Sequence, residues 1–247
     1  MSIAPYSKFD TYKNFILSLP SPLEEVSILS QQFLLEKDEK RKLEIYYAPF
    51  EHINEKAKIV IAGITPGLHQ MKVSYQTVMD FKDKKATDEE ILHQVKKNSS
   101  FEGTMRNNLI TMLDELQLHT YLGISSTSDL FTTASNLAQT TSIITYPVFY
   151  NGKNYSGSTP NLLKTEILKR HVIENFAKEL EKLNQALIIP LGVNVEKALA
   201  YLAENNYMNA DGVLNGFPHP SGGNGHRHRQ YAENKEEMKQ KIKKYFK

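Results

Sequence analysis

The sequence predicts an α/β protein in which helices cover both faces of a parallel sheet. Two short apolar runs, at residues 58–63 and 186–192, end in glycine and are typical of fully buried parallel strands. Segments with apolar residues at helical spacing alternate with these strands along the chain. No linker, repeat or low-complexity segment divides the chain, so we predict a single domain over residues 1–247.

Residues 1–42 are predicted to form a helical segment at the N-terminus. Ser21 and Pro22 are followed by two glutamates, which is a helix start, because Ser caps the first turn and Pro suits the first helical position. Apolar residues between Val26 and Leu34 continue one face of that helix.

The remaining elements follow from apolar spacing and from the positions of Gly and Pro. We predict strands at 43–47, 58–63, 141–149 and 186–192. We predict helices at 88–97, 104–116, from Thr159-Pro160 to about Asn184, 194–204 and 230–246, with a loop at 215–227.

The composition excludes several classes of function. The chain has no Cys, which excludes disulfides, thiolate nucleophiles, Cys-ligated zinc and cysteine-held iron–sulfur clusters. Residues 1–20 lack the apolar core of a signal peptide, and no apolar run approaches the roughly 20 residues that span a bilayer. We therefore expect a cytoplasmic protein with no membrane partner.

The charges are almost balanced overall and uneven along the chain. There are 30 Lys and Arg against 28 Asp and Glu, but residues 226–247 hold eight basic and three acidic residues. A basic terminal segment can bind phosphates. The alternative, which this segment taken alone favours, is a solvated amphipathic helix.

A loop rich in Gly and Pro, GITPG at 63–67, directly follows the strand at 58–62. In parallel sheets, ligands bind beyond the carboxyl ends of the strands. Glycine lets a ligand approach the backbone and proline stiffens the turn. Thr65, His69 and Gln70 supply polar groups there. An ordinary strand-to-helix turn is the alternative for this loop.

A second unusual loop, HPSGGNGH, occupies residues 219–226. His219 lies between two prolines, which restrict its backbone, and a rigid imidazole suits the stabilisation of developing charge. The backbone N–H groups that follow can form an anion nest. Zinc is an alternative for His219, His226 and His228, although their spacing matches no known ligand pattern, and a His-rich surface loop is another.

Other catalytic loops are absent from the sequence. No Walker-type phosphate loop, GxGxxG fingerprint or GxSxG nucleophile elbow occurs.

The order and spacing of four segments resemble the motifs of the uracil-DNA glycosylase superfamily. Residues 63–67 resemble its motif G-x-N-P-G, and residues 219–221 resemble its C-terminal motif H-P-S. Phe101-Glu102-Gly103 resembles the P-F-x-G segment, and residues 186–199 resemble the strand–Leu-Gly–helix segment. The resemblance extends from residue 58 to about residue 230, which is most of the chain.

This resemblance implies a three-layer αβα sandwich with a central, mostly parallel four-stranded sheet. It implies a monomeric DNA glycosylase that flips out a damaged or modified base, hydrolyses the N-glycosidic bond and leaves an abasic site. DNA is the implied partner, with no cofactor, no metal and no iron–sulfur cluster.

The resemblance also implies roles for individual residues. His219 would donate to the departing base, and Thr65 would hold water. By its position beside Phe101, Glu102 is the best candidate for a substitute carboxylate, with Asp80 a distant second, and a solvated charge is the favoured alternative for both. The implied substrate-binding residues are Gly63, Ile64, Pro66, Gly67, His69, Gln70, Phe101, Ser142 and Asn224. The implied contacts to the DNA backbone come from Ser221, Gly222, Gly223, His226, Arg227 and Arg229.

The sequence departs from the superfamily pattern at several positions. Thr65 stands where relatives carry a water-activating Asp or Asn, and Ser142 stands where an Asn often reads the base. Residues 68–100 are polar and predicted to be an insertion beside the pocket, and the loop after His219 lacks the apolar wedge of many relatives.

These departures favour a bulky or modified base over plain uracil. Glucosylated hydroxymethylcytosine of phage DNA, and hence antiviral defence, is one possibility, and uracil excision in DNA repair is another. A catalytically weakened DNA-binding protein of the same fold and a small-molecule enzyme acting on nucleosides or nucleotides are the remaining alternatives.

Overall fold

The computed structural model describes residues 2–183 and 185–247 and confirms the mixed α/β class. The strands are β1 (Ser2–Ile3), β2 (Leu34–Asp38), β3 (Leu43–Tyr46), β4 (His52–Ile53), β5 (Ile59–Gly63), β6 (Ala138–Ser142), β7 (Val148–Tyr150), β8 (Lys153–Asn154) and β9 (Leu187–Pro190). The α-helices are α1 (Phe9–Leu17), α2 (Glu25–Ile28), α3 (Leu68–Met79), α4 (Asp88–Ser99), α5 (Thr104–Glu115), α6 (Leu118–Leu122), α7 (Glu166–His171), α8 (Ala177–Glu181), α9 (Val193–Glu204) and α10 (Arg227–Tyr245).

A parallel sheet with the strand order β6–β5–β9 forms the centre of the protein. Every residue of β5 is buried, as its apolar sequence predicts. Gly63 pairs with Ser142 and Ala62 pairs with Pro190, so the carboxyl ends of the three strands meet at one edge. Both predicted loops begin near this edge.

The central sheet has three strands, whereas the superfamily resemblance implies four. On the free side of β9, Val213 forms one isolated parallel bridge with Ile188, and the Leu214 amide donates to the Ile188 carbonyl at 2.8 Å. Val213 directly follows a short 3₁₀ turn, Ala210–Gly212, and the pairing stops after a single bridge.

A second sheet is antiparallel, with the order β2–β3–β7–β8, and β1 pairs separately with β4. The prediction that residues 1–42 are helical is therefore wrong over Ser2–Ile3 and Leu34–Asp38. The helix predicted to start at Ser21 is only the short α2, which Glu24 precedes and which ends at Ile28. Leu34 pairs with Tyr46 and Asp38 pairs with Leu43, so hydrogen bonding to a neighbouring strand overrides the helical spacing.

Two hydrophobic clusters lie on opposite faces of the parallel sheet. Alternate residues of β5 supply them: Val60 and Ala62 belong to one cluster, Ile59 and Ile61 to the other. Buried side chains of α3, α4, α7, α8 and α9 join the first cluster, and those of α5, α6 and α10 join the second.

Two predicted elements have different boundaries in the structure. The strand predicted at 141–149 is divided, because β6 ends at Ser142 and Val148 begins β7 in the other sheet. The helix predicted from Pro160 begins at Glu166, since the Asn161 side chain caps a separate 3₁₀ turn just before it. Its helical path includes a π-helical turn at Val172–Phe176, and its predicted end at Asn184 lies outside the described residues.

The region between the first loop and Phe101 folds into two helices. The prediction of a helix at 88–97 is confirmed by α4, which Thr87 and Glu90 begin with a capping box. No helix was predicted at α3, within the polar segment 68–100, yet α3 packs Met71 and Tyr75 into the first hydrophobic cluster.

Candidate functional site

A cleft of about 660 Å³ opens at the carboxyl-terminal edge of the parallel sheet. Both predicted loops line it: Gly63, Ile64, Thr65 and Gly67 of the first loop, and His219, Ser221, Gly223 and Asn224 of the second. We call these two loops, together with Phe101, the motif wall. The convergence of the two loops on one cleft is what their positions in the sequence predict.

Gly63, Phe101 and Ser142 all line the cleft and lie in close contact. A Cβ atom at Gly63 would lie 3.3 Å from Cε1 of Phe101 and 3.7 Å from Oγ of Ser142. The absence of a side chain at Gly63 therefore lets the Phe101 ring reach the end of β5.

Phe101 is held in an unusual backbone conformation. Its φ is +53°, in the left-handed region that bulky residues rarely occupy, and its side chain is buried. The Arg106 guanidinium donates to the carbonyls of Asn98 and Ser100 and so fixes the turn before it. Such strain persists where surrounding contacts impose it, often at functional sites.

His219 is positioned by backbone contacts on two sides. The Ser221 amide donates to Nδ1 of His219 at 3.3 Å, so Nε2 carries the proton of the neutral ring. Gly192 has a φ of +94°, and a Cβ there would lie 3.0 Å from Cβ of His219. Burial lowers the pKa of His219, which favours the neutral imidazole. None of the described residues accepts a hydrogen bond from Nε2, so its proton is available to a ligand.

Side chains from within and outside the second loop hold its shape. Asn108 donates to the Pro220 carbonyl at 2.8 Å, and Arg227 donates to the Ser221 carbonyl at 2.8 Å. Asn224 lines the cleft, but its amide nitrogen donates to the His219 carbonyl at 3.2 Å. Arg227 and Asn224 thus position the loop, and sequence reasoning missed the contribution of Asn108.

The other residues expected to contact DNA lie around the start of α10. His226 and Gly222 are exposed, and Arg229 lies 3.7 Å from Glu233 with 71% of its side chain exposed. These three residues lie in or next to the second loop but do not line the cleft.

The Thr65 hydroxyl connects the first loop to the segment that enters β7. It donates to the Tyr146 carbonyl at 2.7 Å and accepts from the Val148 amide at 3.0 Å. The hydroxyl proton is therefore used in the bond to Tyr146, and one lone pair of the hydroxyl oxygen remains to accept a hydrogen bond from water.

Glu102 and His69 do not line the cleft, contrary to the roles expected for them. The two side chains pair with each other at 2.8 Å, with 42% and 71% of their surfaces exposed. Glu102 follows Phe101, whose ring lies against Gly63 at the cleft. The structure therefore does not support Glu102 as a substitute carboxylate.

Gln70 and Pro66 lie close to Phe101 and Ser142. Gln70 lines the cleft, accepts from the Gly67 amide and donates to the Ser99 carbonyl, so it caps the start of α3. Pro66 lines a separate cavity of about 20 Å³, which Phe101 and Ser142 also border. That volume is enough for about one water molecule.

The sequence did not indicate a third group of cleft residues, which we call the polar wall: Asn154, Ser156, Ser158 and Asn194. The Asn194 amide donates to Oγ of Ser158 at 3.0 Å, and Oδ1 of Asn154 accepts from the Leu68 amide at 3.0 Å. Asn154 lies in β8 of the other sheet, and Ser156 and Ser158 come shortly after it. Their turn-like composition was the one available signal, and it does not indicate a position beside β5.

Charged side chains and metal ligands are sparse around the cleft. Of its described lining residues, none is Asp, Glu, Lys or Arg. Across 2–183 and 185–247, no group of three His, Asp or Glu side chains is arranged to hold a metal ion. Within the same residues, no helix has the length and apolar character needed to cross a membrane.

Comparison with known proteins identifies one family. No family model matches the chain, and no solved structure matches it. A curated relative, the uncharacterized protein YoxB of Bacillus subtilis strain 168, is 41% identical over 229 residues, which are 92% of this chain and 89% of YoxB. At this identity and coverage, the chain belongs to the same family as YoxB.

Proposed function

We propose that the protein is a DNA glycosylase that flips out a damaged or modified base and hydrolyses its N-glycosidic bond. The observation that carries this proposal is the convergence of residues 63–67, Phe101 and His219 on one cleft. These are the segments whose sequences resemble the uracil-DNA glycosylase superfamily. DNA as partner, a monomeric state and a cytoplasmic setting belong to the same proposal.

The layered arrangement supports the superfamily fold as part of the proposal. Helices cover both faces of the strand order β6–β5–β9, as in a three-layer αβα sandwich. Val213 lies where a fourth parallel strand would pair with β9.

The chemistry follows from the properties of His219 and Phe101. Glycosidic cleavage creates an oxocarbenium-like sugar and negative charge on the departing base. The extruded base would stack on Phe101, and the Nε2–H group of neutral His219 would donate a hydrogen bond to the base as its negative charge builds, without giving up the proton. A water molecule would then bond to the sugar cation and release one proton to the solvent, and the departed base would take up a proton from the solvent. DNA phosphates next to the sugar would stabilise the cation, so a strong general base is not required.

The dimensions and the polar wall favour a base larger than uracil. A cleft of about 660 Å³ exceeds the space that a pyrimidine needs. Ser142 is too short for the two-sided reading of uracil that an Asn provides. The polar wall offers hydroxyl and amide groups to a polar substituent, such as the sugar of a glucosylated hydroxymethylcytosine in phage DNA. A base of that kind would make the protein an antiviral enzyme.

Mass spectrometry of released bases tests the proposal. Purified protein is incubated with uracil-containing, deaminated, alkylated and phage-modified DNA, beside the His219→Ala variant. We expect a free base and an abasic site from at least one DNA, with release lost in the variant. Release of no base from the whole panel would refute glycosylase activity.

A DNA-binding protein without catalysis is the second candidate. The committed Thr65 hydroxyl and the lack of a carboxylate among the described cleft residues favour it. It predicts binding that weakens steeply with salt and no released base. Binding that is independent of salt would exclude it.

A further inference from the structure

Two small polar cavities lie next to the cleft, along the outer strand β6 of the parallel sheet. The near cavity, of about 20 Å³, shares Gln70, Phe101 and Ser142 with the cleft. The far cavity, also of about 20 Å³, shares Lys96 and Thr140 with the near cavity. The cleft and the two cavities therefore form a row, and each cavity has room for about one water molecule.

The far cavity is lined by residues whose polar atoms need a hydrogen-bond partner. Nε2 of His52 and Oδ1 of Asn54 are buried and have no partner among the described residues. The Asn54 amide nitrogen already donates to the carbonyls of Asn136 and Ala138, so Oδ1 cannot exchange places with it. Two unsatisfied polar atoms are costly to bury, and one water molecule can bond to both.

Lys96 lines both cavities and has a buried ammonium group. The residue is 7% exposed, and the ammonium donates one hydrogen bond, to the Thr140 carbonyl at 2.9 Å. Burial lowers the pKa of Lys96, and the charges of the buried Glu179 and Glu51 carboxylates oppose that shift. An ammonium has three donors, so two N–H groups that no described residue accepts can bind water.

Water suits these cavities better than an ion does. Lys96 and Lys97 line the far cavity and disfavour a metal cation there. The near cavity disfavours an anion, because Thr141 in its wall donates to the buried Glu179 carboxylate at 3.0 Å. Five hydroxyl groups, which can donate to water and accept from it, line the near cavity: those of Ser100, Thr140, Thr141, Ser142 and Thr145.

We propose that ordered water molecules fill both cavities, solvate the Lys96 ammonium and supply the water that hydrolyses the glycosidic bond once a base covers the cleft. A bound substrate excludes bulk water from an active site, so an internal supply is then needed. Pro66 lines the near cavity, so the water would arrive beside the first loop. The supply role rests on the proposed glycosylase function, whereas the water sites do not.

A paired substitution between the cavities tests this water route. The Thr140 side chain shares a hydrogen bond of 2.6 Å with the Ser100 hydroxyl, and Thr140 lines both cavities. Ser100→Ala combined with Thr140→Val removes both partners of that bond and leaves neither unsatisfied, so the thermal midpoint should change little. The backbone carbonyl that accepts from Lys96 is retained.

Two measurements are made on the double variant and on the unsubstituted protein. A high-resolution crystal structure should show water in both cavities of the unsubstituted protein and less water in the double variant. On a DNA from which the protein releases a base, the double variant should have about tenfold lower kcat. Its KM should be unchanged, because neither substituted residue lines the cleft.

Thr111→Val is the matched control for the loss of a threonine hydroxyl. Thr111 is an exposed residue of α5, and its hydroxyl donates to the Asn107 carbonyl at 3.0 Å. This variant should keep kcat within about twofold of the original value. A loss as large as that of the double variant would overturn the water route.

The outcomes separate the water route from the proposed function. Cavities that hold no ordered water, or that hold an ion, overturn the route, and base release would still support the glycosylase. An unchanged kcat in a folded double variant overturns the supply role. If that variant does not fold, the water positions in the unsubstituted protein decide the question. If water fills both cavities but no DNA in the panel loses a base, the glycosylase and the supply role fail and the water sites stand.

Discussion

The motif wall and the polar wall line one cleft, and they differ in how they are built. The motif wall is fixed by backbone contacts, such as the Ser221 amide on His219 and the Phe101 ring against Gly63. The polar wall presents exposed side chains at Asn154, Ser156 and Ser158. The rigid wall suits a chemical step that requires a fixed geometry, and the exposed wall suits the choice among substrates.

The largest expected effect comes from the imidazole of the motif wall. His219→Ala should slow base release by about 10²–10³-fold, because removal of one preorganised hydrogen-bond donor to a developing anion costs about that much. His69→Ala is the matched control, since His69 lies outside the cleft with 71% of its side chain exposed, and it should stay within about twofold. Equal rates for the two variants would remove His219 from the chemistry.

The next effect tests the rigidity of the motif wall. Gly192→Ala puts a side chain on a residue with a φ of +94° and 3.0 Å from Cβ of His219. We expect about 1–3 kcal/mol lower free energy of unfolding in a denaturant titration. Gly222→Ala, where nothing lies within 4 Å, should change it by less than about 0.5 kcal/mol. If Gly192→Ala lowered the free energy of unfolding no more than Gly222→Ala does, the backbone around His219 would be able to shift without cost.

The pH dependence of base release should follow the protonation of His219 in the motif wall. Burial lowers the pKa of His219 below its ordinary value of about 6.5. Protonation would place a proton on Nδ1 and break the bond from the Ser221 amide. Base release should therefore be constant from about pH 6.5 to 8 and fall only at more acidic pH. An activity that falls as the pH rises through 7 would require a protonated catalytic group.

Folding must be followed in the same pH series. Burial lowers the pKa of His52 to about 3, with His93 and Lys96 adding smaller effects. The unfolded chain takes up this proton near pH 6.5 and the folded protein does not, so stability falls by up to about 1.4 kcal/mol per pH unit below 6.5. Circular dichroism at each pH separates this loss from the titration of His219.

The smallest effect tests the polar wall. Ser156→Ala and Ser158→Ala should each reduce kcat/KM on a base with a polar substituent by about 2–10-fold, the range of one neutral hydrogen bond. On the unsubstituted base, both should stay near the original rate. Ser18→Ala, an exposed serine after α1, is the control. Equal losses on both bases would show that the polar wall does not select the substrate.

The sequence predicted the motif wall better than the polar wall, for a physical reason. The strands β5 and β9 are short buried apolar runs, so the position of GITPG at a strand end followed directly. The side chain of Glu102 was misplaced because neighbouring residues in a turn can face opposite ways. The apolar run across Pro147 belongs to two different sheets, which local spacing cannot show. The hairpin that brings Ser156 to the cleft depends on long-range pairing of β7 with β3.

The alternation of β5 between two hydrophobic clusters has a consequence for experiment. Because Val60 and Ile61 join opposite hydrophobic clusters through one strand, we expect the two halves of the protein to unfold together. A compound that binds against Gly63, at the carboxyl end of that strand, should therefore raise the melting temperature of the whole protein by mass action. A thermal-shift screen of nucleosides and short oligonucleotides should therefore reveal ligands even before a reaction is known.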